Sequence, residues 1–257
     1  MRSLRVDARE ESGRIVEFIG KVVGKAHAKG VVLGLSGGVD SAVVGALCVR
    51  ALGRTRVRAL MMPSPSTPPD DQEDAIKLAE AWGISAKTIE ISDLVVSAQR
   101  VAGDGAGRTA KANLQARIRM LLLYYEANSS GLLVAGTGDR SEAELGFFTK
   151  WGDGGVDFLP IAHLYKTQVR ELGEYLGLPK RVYSKPASPA LWLGHKATDE
   201  LPAGYDRLDV FLHAYLDERA GLAESARAAK LTSQVGKRIV EMHESSSHKR
   251  SMPPSLS

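Results

Sequence analysis

Short apolar runs and longer periodic stretches alternate along this chain. Residues 7–28 place Ile15, Val16, Ile19, Val22, Val23 and Ala26 at helical spacing, so the chain is expected to open with an amphipathic helix. Val31–Leu35 is short, apolar and β-branched, as a buried parallel strand requires. Asp40 to Leu52 reads as a helix with Asp40 near its N-cap and Gly53 at its end. A second strand follows at Val57–Met62, then a loop at Pro63–Pro69. Asp70–Trp82 is a helix whose acidic first turn suits the helix dipole. Ala86–Ile91 predicts a third strand, Gly103–Gly107 a mobile glycine-rich loop, Thr109–Ala127 a long helix and Gly131–Gly136 a fourth strand. Further along, Leu159–Ile161 predicts an edge strand, and Tyr165–Leu176 a helix stopped by Gly177. Residues 184–203 read as a loop, and the remainder as helix running into a polar, flexible tail over 245–257.

Strands separated by helices of this length imply right-handed crossovers. The expected fold is therefore α/β: a doubly wound, mostly parallel sheet with helices on both faces, Rossmann-like, in one domain spanning residues 1–257. Ligands in such sheets bind outside the carboxyl ends of the strands, so the loops after strands one, two and four should carry the site. No internal repeat is present.

Composition narrows the function classes. Hydrophobic residues make up 44% and charged residues 25%, an ordinary balance for a folded chain. A net charge of +4 suits an anionic ligand but falls short of a nucleic-acid footprint. No apolar run approaches the ~20 residues of a membrane span, and MRSLRVDAREES is too polar for a signal peptide. A cytoplasmic location, with neither membrane nor nucleic acid as partner, is the expectation. The one cysteine, Cys48, excludes an internal disulfide and a cysteine-based zinc cluster. Its setting in AVVGALCVRAL reads as core.

The chemistry starts at SGGVDS, between the first strand and its helix. Gly37 and Gly38 can take positive φ and let a ligand approach the backbone. Successive N–H groups there form an anion nest, the helix dipole adds positive potential, and Ser36 and Ser41 offer hydroxyls. Asp40 is the odd residue, because a carboxylate repels phosphate. Either it only caps the helix, or it holds a divalent cation such as Mg²⁺ that bridges phosphate oxygens. The loop lacks the Gly-Lys-Ser/Thr ending of a Walker A. It resembles the pyrophosphate loop of the N-type ATP pyrophosphatases, which cleave ATP between its α and β phosphates and adenylate a carboxylate or carbonyl oxygen. This loop alone does not choose among the members of that superfamily.

A second stretch does. GTGDRSEAELGFFTKWGDGGVDFLPIAHLYKTQVREL, Gly136–Leu172, follows the fourth strand and closely resembles ammonia-dependent NAD synthetase. With KANLQARIRM and the SGG loop, the resemblance runs from about residue 7 to Arg250. It implies the adenine nucleotide alpha hydrolase-like variant of the fold and ATP-dependent amidation of deamido-NAD by ammonia through an acyl-adenylate, giving NAD, AMP and pyrophosphate. It also implies a homodimer with the dinucleotide site at its interface. Thr137, which on its own could cap its loop, would border the purine of ATP, while Gly34, Ser36, Gly37, Gly38, Val39, Asp40 and Ser41 would bind ATP with the SGG loop on its pyrophosphate. Ser64 stands for the adenine and ribose contacts after strand two. Glu142, by itself either a helix cap or a metal carboxylate, becomes the second Mg²⁺ ligand beside Asp40. Lys166, at a helix start where a cation is electrostatically misplaced, becomes an ATP-phosphate contact and catalytic residue.

Arg117 and Arg119 lie on a helix whose other face is apolar, where arginines are usually solvated. By the resemblance Arg117 contacts deamido-NAD, as do Lys150 and Asp157. Asp153, otherwise a turn residue, would sit near the reacting carboxylate and accept a proton from ammonium. The tail residues His248 and Lys249 match a family segment that closes over the dinucleotide. Lys185–Glu200 resembles the family's mobile second loop, with Ser188 at an ATP-phosphate position. It departs from the pattern at Ala190, where an aspartate is common, and by an expansion of two residues near His195 and Lys196. Closure of the loops at 103–107 and 185–200 would keep water from the adenylate. The alternative is a tRNA-modifying sulfurtransferase or another adenylating ligase of the superfamily; the former would need a basic RNA-binding patch and usually catalytic cysteines. Buried Cys48 cannot serve a glutaminase, so free ammonia is the expected nitrogen donor.

Overall fold

The computed structural model describes residues 4–256 apart from 104 and 189. Residues 104 and 189 belong to the two loops expected to close, and 257 to the expected tail; these parts of the expectations lie outside the described residues.

Four parallel strands, β1 (Gly30–Gly34), β2 (Val57–Met61), β3 (Ser85–Thr88) and β4 (Leu132–Val134), form one sheet in the order β3-β2-β1-β4. Val31 pairs with Val57 on one side and Leu133 on the other. Side chains alternate across a strand, and the packing follows that rule. Val31, Leu33, Val57, Ala59 and Met61 enter one apolar cluster, while Val32, Leu60 and Val134 enter another. Helices α1 (Ala8–Lys25) and α2 (Val39–Leu52) cover the first face, with α3 (Pro69–Trp82) beside α2. On the second face lie α4 (Ser92–Ala102) and α5 (Arg108–Ser130). The doubly wound α/β expectation holds. Strand order reverses between β1 and β4, so the crevice at their carboxyl ends is the topological switch point at which such sheets bind ligands.

The chain then adds α6 (Arg140–Leu145), α7 (Lys166–Tyr175) and the short α8 (Lys180–Tyr183). A third apolar cluster joins α6 to α9 (Tyr205–Leu212), α10 (Leu222–Ala228) and α11 (Ser233–Ser245), beside the loops that face the switch point. Cys48 is fully buried in α2. No helix among the described residues is long and apolar enough to cross a membrane.

Three local expectations change. Leu159–Ile161 is not a strand. Phe158 makes one parallel bridge to Ala135, with Gly136 N donating to Phe158 O at 2.9 Å. Pro160 has no N–H with which to extend the pairing, and the chain turns at Ile161–Leu164. Helix α4 occupies a stretch given no element from the sequence; none of its residues is buried. The first residues of the expected tail, finally, are fastened. Lys249 Nζ donates to Gly146 O and Phe148 O at 2.8 and 3.0 Å, and Arg250 donates to the carbonyls of Ala143, Glu144 and His243.

Candidate active site

A cavity of about 690 Å³ opens at the switch point. Its floor is the β1–α2 turn. Gly38 is the N-cap of α2, and Asp40 lies within the first helical turn rather than capping it. Gly37 has φ +79°, and a Cβ there would lie 2.1 Å from Asp71 O, so this position requires glycine. Both serine hydroxyls brace the turn: Ser36 N donates to Ser41 Oγ at 3.2 Å, Ser41 Oγ donates to Gly38 O at 3.0 Å, and Gly38 N donates to Ser36 Oγ at 3.3 Å.

Opposite this turn, Lys166 Nζ stands 2.8 Å from Asp40 Oδ2, 2.9 Å from Asp139 Oδ2 and 2.8 Å from Glu142 Oε1. Each group has a local reason to be there. Asp139 caps α6, accepting from Glu142 N at 2.8 Å, and Glu142 closes the capping box by accepting from Asp139 N. Lys166 begins α7 and is fully buried. Behind it, Asp209 of α9 accepts from Ser141 Oγ at 2.6 Å and from Thr167 N at 2.8 Å, while Ser141 Oγ accepts from Lys166 N at 2.9 Å. One buried carboxylate thus neutralises the N-terminus of α7 and locks α6, α7 and α9 together.

The electrostatics of the cluster are lopsided. Burial alone would lower the Lys166 pKa, but Asp139, Asp40 and Glu142 outweigh it and hold the pKa well above the ordinary lysine value. Burial pushes Asp139 up to about 6 against the pull of Lys166, with Asp40 adding to the rise. Glu142 is raised by burial and by the other two acids. Three carboxylates around one ammonium leave room for a further cation.

Among the described residues no three acidic, histidine or cysteine side chains form a ready-made metal cage. The buried Oδ1 of Asp40, however, has no hydrogen-bond partner. That orphaned acceptor and the nearby Glu142 fit a Mg²⁺ ion, whose remaining positions water and phosphate oxygens commonly fill.

Other expected residues divide into two groups. Gly34, Ser36, Gly38, Val39, Asp40, Thr137, Glu142, Asp153, Lys166, Ser188 and Lys249 all line the cavity. Gly37 and Ser41 shape the turn from behind. Ser64 is buried in the turn after β2, its amide donating to Thr67 Oγ1 at 3.0 Å; Thr67, not Ser64, faces the cavity. Arg117, Lys150 and His248 lie outside the cavity but together: Arg117 donates to Lys150 O at 3.2 Å, and Lys150 donates to His248 O. Asp157 stands apart, accepting from Tyr124 Oη at 3.1 Å and Val134 N at 2.7 Å. Asp153 accepts from Thr149 N at 2.8 Å; the residue is exposed where it faces the cavity, and the protein atoms crowded around its carboxyl raise its pKa.

Sequence reasoning missed several cavity groups. Arg119, not Arg117, turns inward, and its Nε donates to Met62 O at 3.0 Å. Asp139 was detectable: Asp and Glu three residues apart ahead of a helix are a capping-box signature. Tyr205 and His195 carry no such signal. Tyr205 is buried, with Lys166 Nζ 5.2 Å from its ring centre, and burial pushes its phenol pKa far up. His195, also buried, stacks on Trp192, which in turn lies under Arg108.

A doubly wound sheet with a braced anion turn, opposed by a lysine among acids, defines a nucleotide-handling α/β enzyme. More narrowly, the chain belongs to the NAD synthase family, whose profile matches residues 11–253. It is 51% identical over 242 residues to the NH(3)-dependent NAD(+) synthetase of Archaeoglobus fulgidus, covering 94% of each chain. It is also 51% identical to the enzyme of that name from Hyperthermus butylicus, covering 93% of this chain and 87% of the relative. Among solved structures, the fold is similar to an NMN synthetase from Francisella tularensis. That match has a TM-score of 0.87 and 33% identity and covers 98% and 99% of the two chains. A second is the NH3-dependent NAD synthetase from Campylobacter jejuni, with a TM-score of 0.83, 30% identity and coverage of 98% and 100%.

Proposed function

We propose that this chain is an ammonia-dependent NAD synthetase, a carbon–nitrogen ligase that converts deamido-NAD to NAD in the cytoplasm. The observation that carries the reading is the Lys166 cluster facing the glycine turn at the switch point, in a chain whose relatives bear that name. The nicotinate carboxylate attacks the α-phosphorus of ATP; the α–β bridging bond breaks and pyrophosphate leaves with its electron pair. Ammonia then attacks the acyl carbon, AMP departs, and the nitrogen loses a proton.

The chain's residues hold two anions together and neutralise their charge. The β1–α2 turn offers backbone amides to the pyrophosphate, and Lys166 offers a permanent positive charge. Asp40 and Glu142 would hold Mg²⁺, which when bound supplies charge neutralisation on the phosphate oxygens. Asp153, its pKa raised by the protein atoms around it, takes the proton of incoming ammonium. Unchanged turnover by Asp153→Asn at saturating ammonium would remove it from that role. Lys249 faces the dinucleotide in the cavity, and Arg117, Lys150 and His248 extend that binding surface beyond it. The chain pairs as a homodimer through α4 and α5, on which Leu94, Val96, Leu121 and Tyr125 are exposed.

The direct test incubates the purified chain with Mg·ATP, deamido-NAD and ammonium, and follows AMP, pyrophosphate and NAD by chromatography. Equimolar AMP and NAD are expected with ammonium, and almost none with glutamine. A parallel arm replaces deamido-NAD with nicotinic acid mononucleotide, because one structural neighbour is an NMN synthetase. Preferential amidation of the mononucleotide would overturn the substrate assignment, and absence of AMP in both arms the activity itself.

A further inference from the structure

Two buried polar atoms face the same end of the cavity without a partner. One is an acceptor, Asp40 Oδ1; the other is a hydroxyl that can donate, Tyr205 Oη. They do not bond each other. A buried donor or acceptor left without a partner has lost its water and gained nothing in return, so each is a standing penalty that a ligand can relieve. An acceptor and a donor side by side call for a cation paired with an anionic oxygen, which is what a metal-bound phosphate presents.

Tyr205 is also held in place. It begins α9 after Gly204, with its ring in the apolar cluster of α6 and α9. Four residues later on the same face, Asp209 fastens α9 to the start of α7 through Thr167 and Ser141. The hydroxyl therefore sits on a rigid element beside Lys166, poised before any ligand arrives, and such support is what a binding group requires.

We propose that the Tyr205 hydroxyl donates a hydrogen bond to a pyrophosphate oxygen of the bound nucleotide, making Tyr205 a catalytic residue that holds the leaving group beside Lys166. This rests on the nucleotide-cleaving reading above. The phenol supplies a neutral donor where the three acids would repel the anion.

Tyr205→Phe keeps the ring and removes only the hydroxyl. Calorimetry with inorganic pyrophosphate and Mg²⁺, and separately with AMP, is the test, alongside thermal unfolding of the free protein. Pyrophosphate affinity is expected to fall roughly 10- to 100-fold, in keeping with a hydrogen bond to a charged group, while AMP affinity stays within about twofold. The free variant should melt at the wild-type temperature or above it, because an unsatisfied buried hydroxyl has been deleted. Equal pyrophosphate affinity in variant and wild type overturns the proposal and leaves the synthetase reading intact. So does an equal loss for both ligands accompanied by a lower melting temperature, which marks a packing role. Wild-type protein that binds neither pyrophosphate nor ATP overturns both readings.

Discussion

The two loops that flank the cavity are built on opposite principles. The Ser36–Ser41 turn grows directly out of β1 and α2, braces itself with its own serines, and rests on a helix whose residues 41–48 are all buried. Loop 185–200 is largely exposed and leans on distant partners: Gln115 donates to Leu191 O at 3.1 Å, Ser66 to Ala190 O at 2.6 Å, and Arg108 lies over Trp192. Preorganisation belongs to the first loop and adaptability to the second. Substitutions in the first should therefore cost far more.

The largest effect is expected at the cluster that faces the rigid turn. Lys166→Met fills the same space and leaves three carboxylates without their cation. Breaking a buried ion pair from one side costs about 3–5 kcal/mol, and turnover should fall by more than roughly 10³-fold. Denaturant melts and steady-state kinetics check both; near-normal kcat would contradict the preorganised picture. Gly37→Ala comes next. It demands a positive φ of a residue with a Cβ and drives that Cβ into Asp71 O, a strain of about 1–3 kcal/mol. ATP affinity, measured by calorimetry, should suffer more than affinity for deamido-NAD.

A smaller effect comes from the core beneath the turn. Burial pushes the Cys48 thiol from 9.0 up to about 12, so the folded chain keeps its proton where the unfolded chain loses it. Its contribution to stability is complete below pH 9 and is lost as pH rises from 9 toward 12. By pH 10 the loss is about 1.4 kcal/mol, and urea midpoints of wild type and Cys48→Ala should converge as pH climbs. The smallest change is expected in the adaptable loop. Trp192→Ala removes the surface between His195 and Arg108, and should raise the KM for ATP by less than about tenfold with a melting temperature within a few degrees of wild type. A loss as large as that of Lys166→Met would erase the distinction between the loops.

Sequence legibility follows the same divide. The β1 turn and its glycines were readable because strand, turn and helix follow one another within about twenty residues and obey local rules. The choice between Arg117 and Arg119 was not. Two residues apart on a helix they point about 160° from each other, and both lie outside the stripe of Leu114, Ile118, Leu121 and Leu122, which spans only about 100° and so does not say which arginine turns inward. Ser64 was expected at the cavity and Thr67 stands there instead, because which hydroxyl of a turn faces a ligand depends on the fold of that turn. Tyr205 and Asp209 lie more than sixty residues beyond Asp139 and Ser141, and no local pattern announces a contact made at that range.

Asp209 has a bearing on how the protein comes into being. A polypeptide emerging from the ribosome would have its whole sheet available by residue 134. Until helix α9 has cleared the exit tunnel, however, the Thr167 amide and Ser141 hydroxyl lack their acceptor. The junction that sets Lys166 in place is thus completed by a residue far beyond the last strand of the sheet it faces.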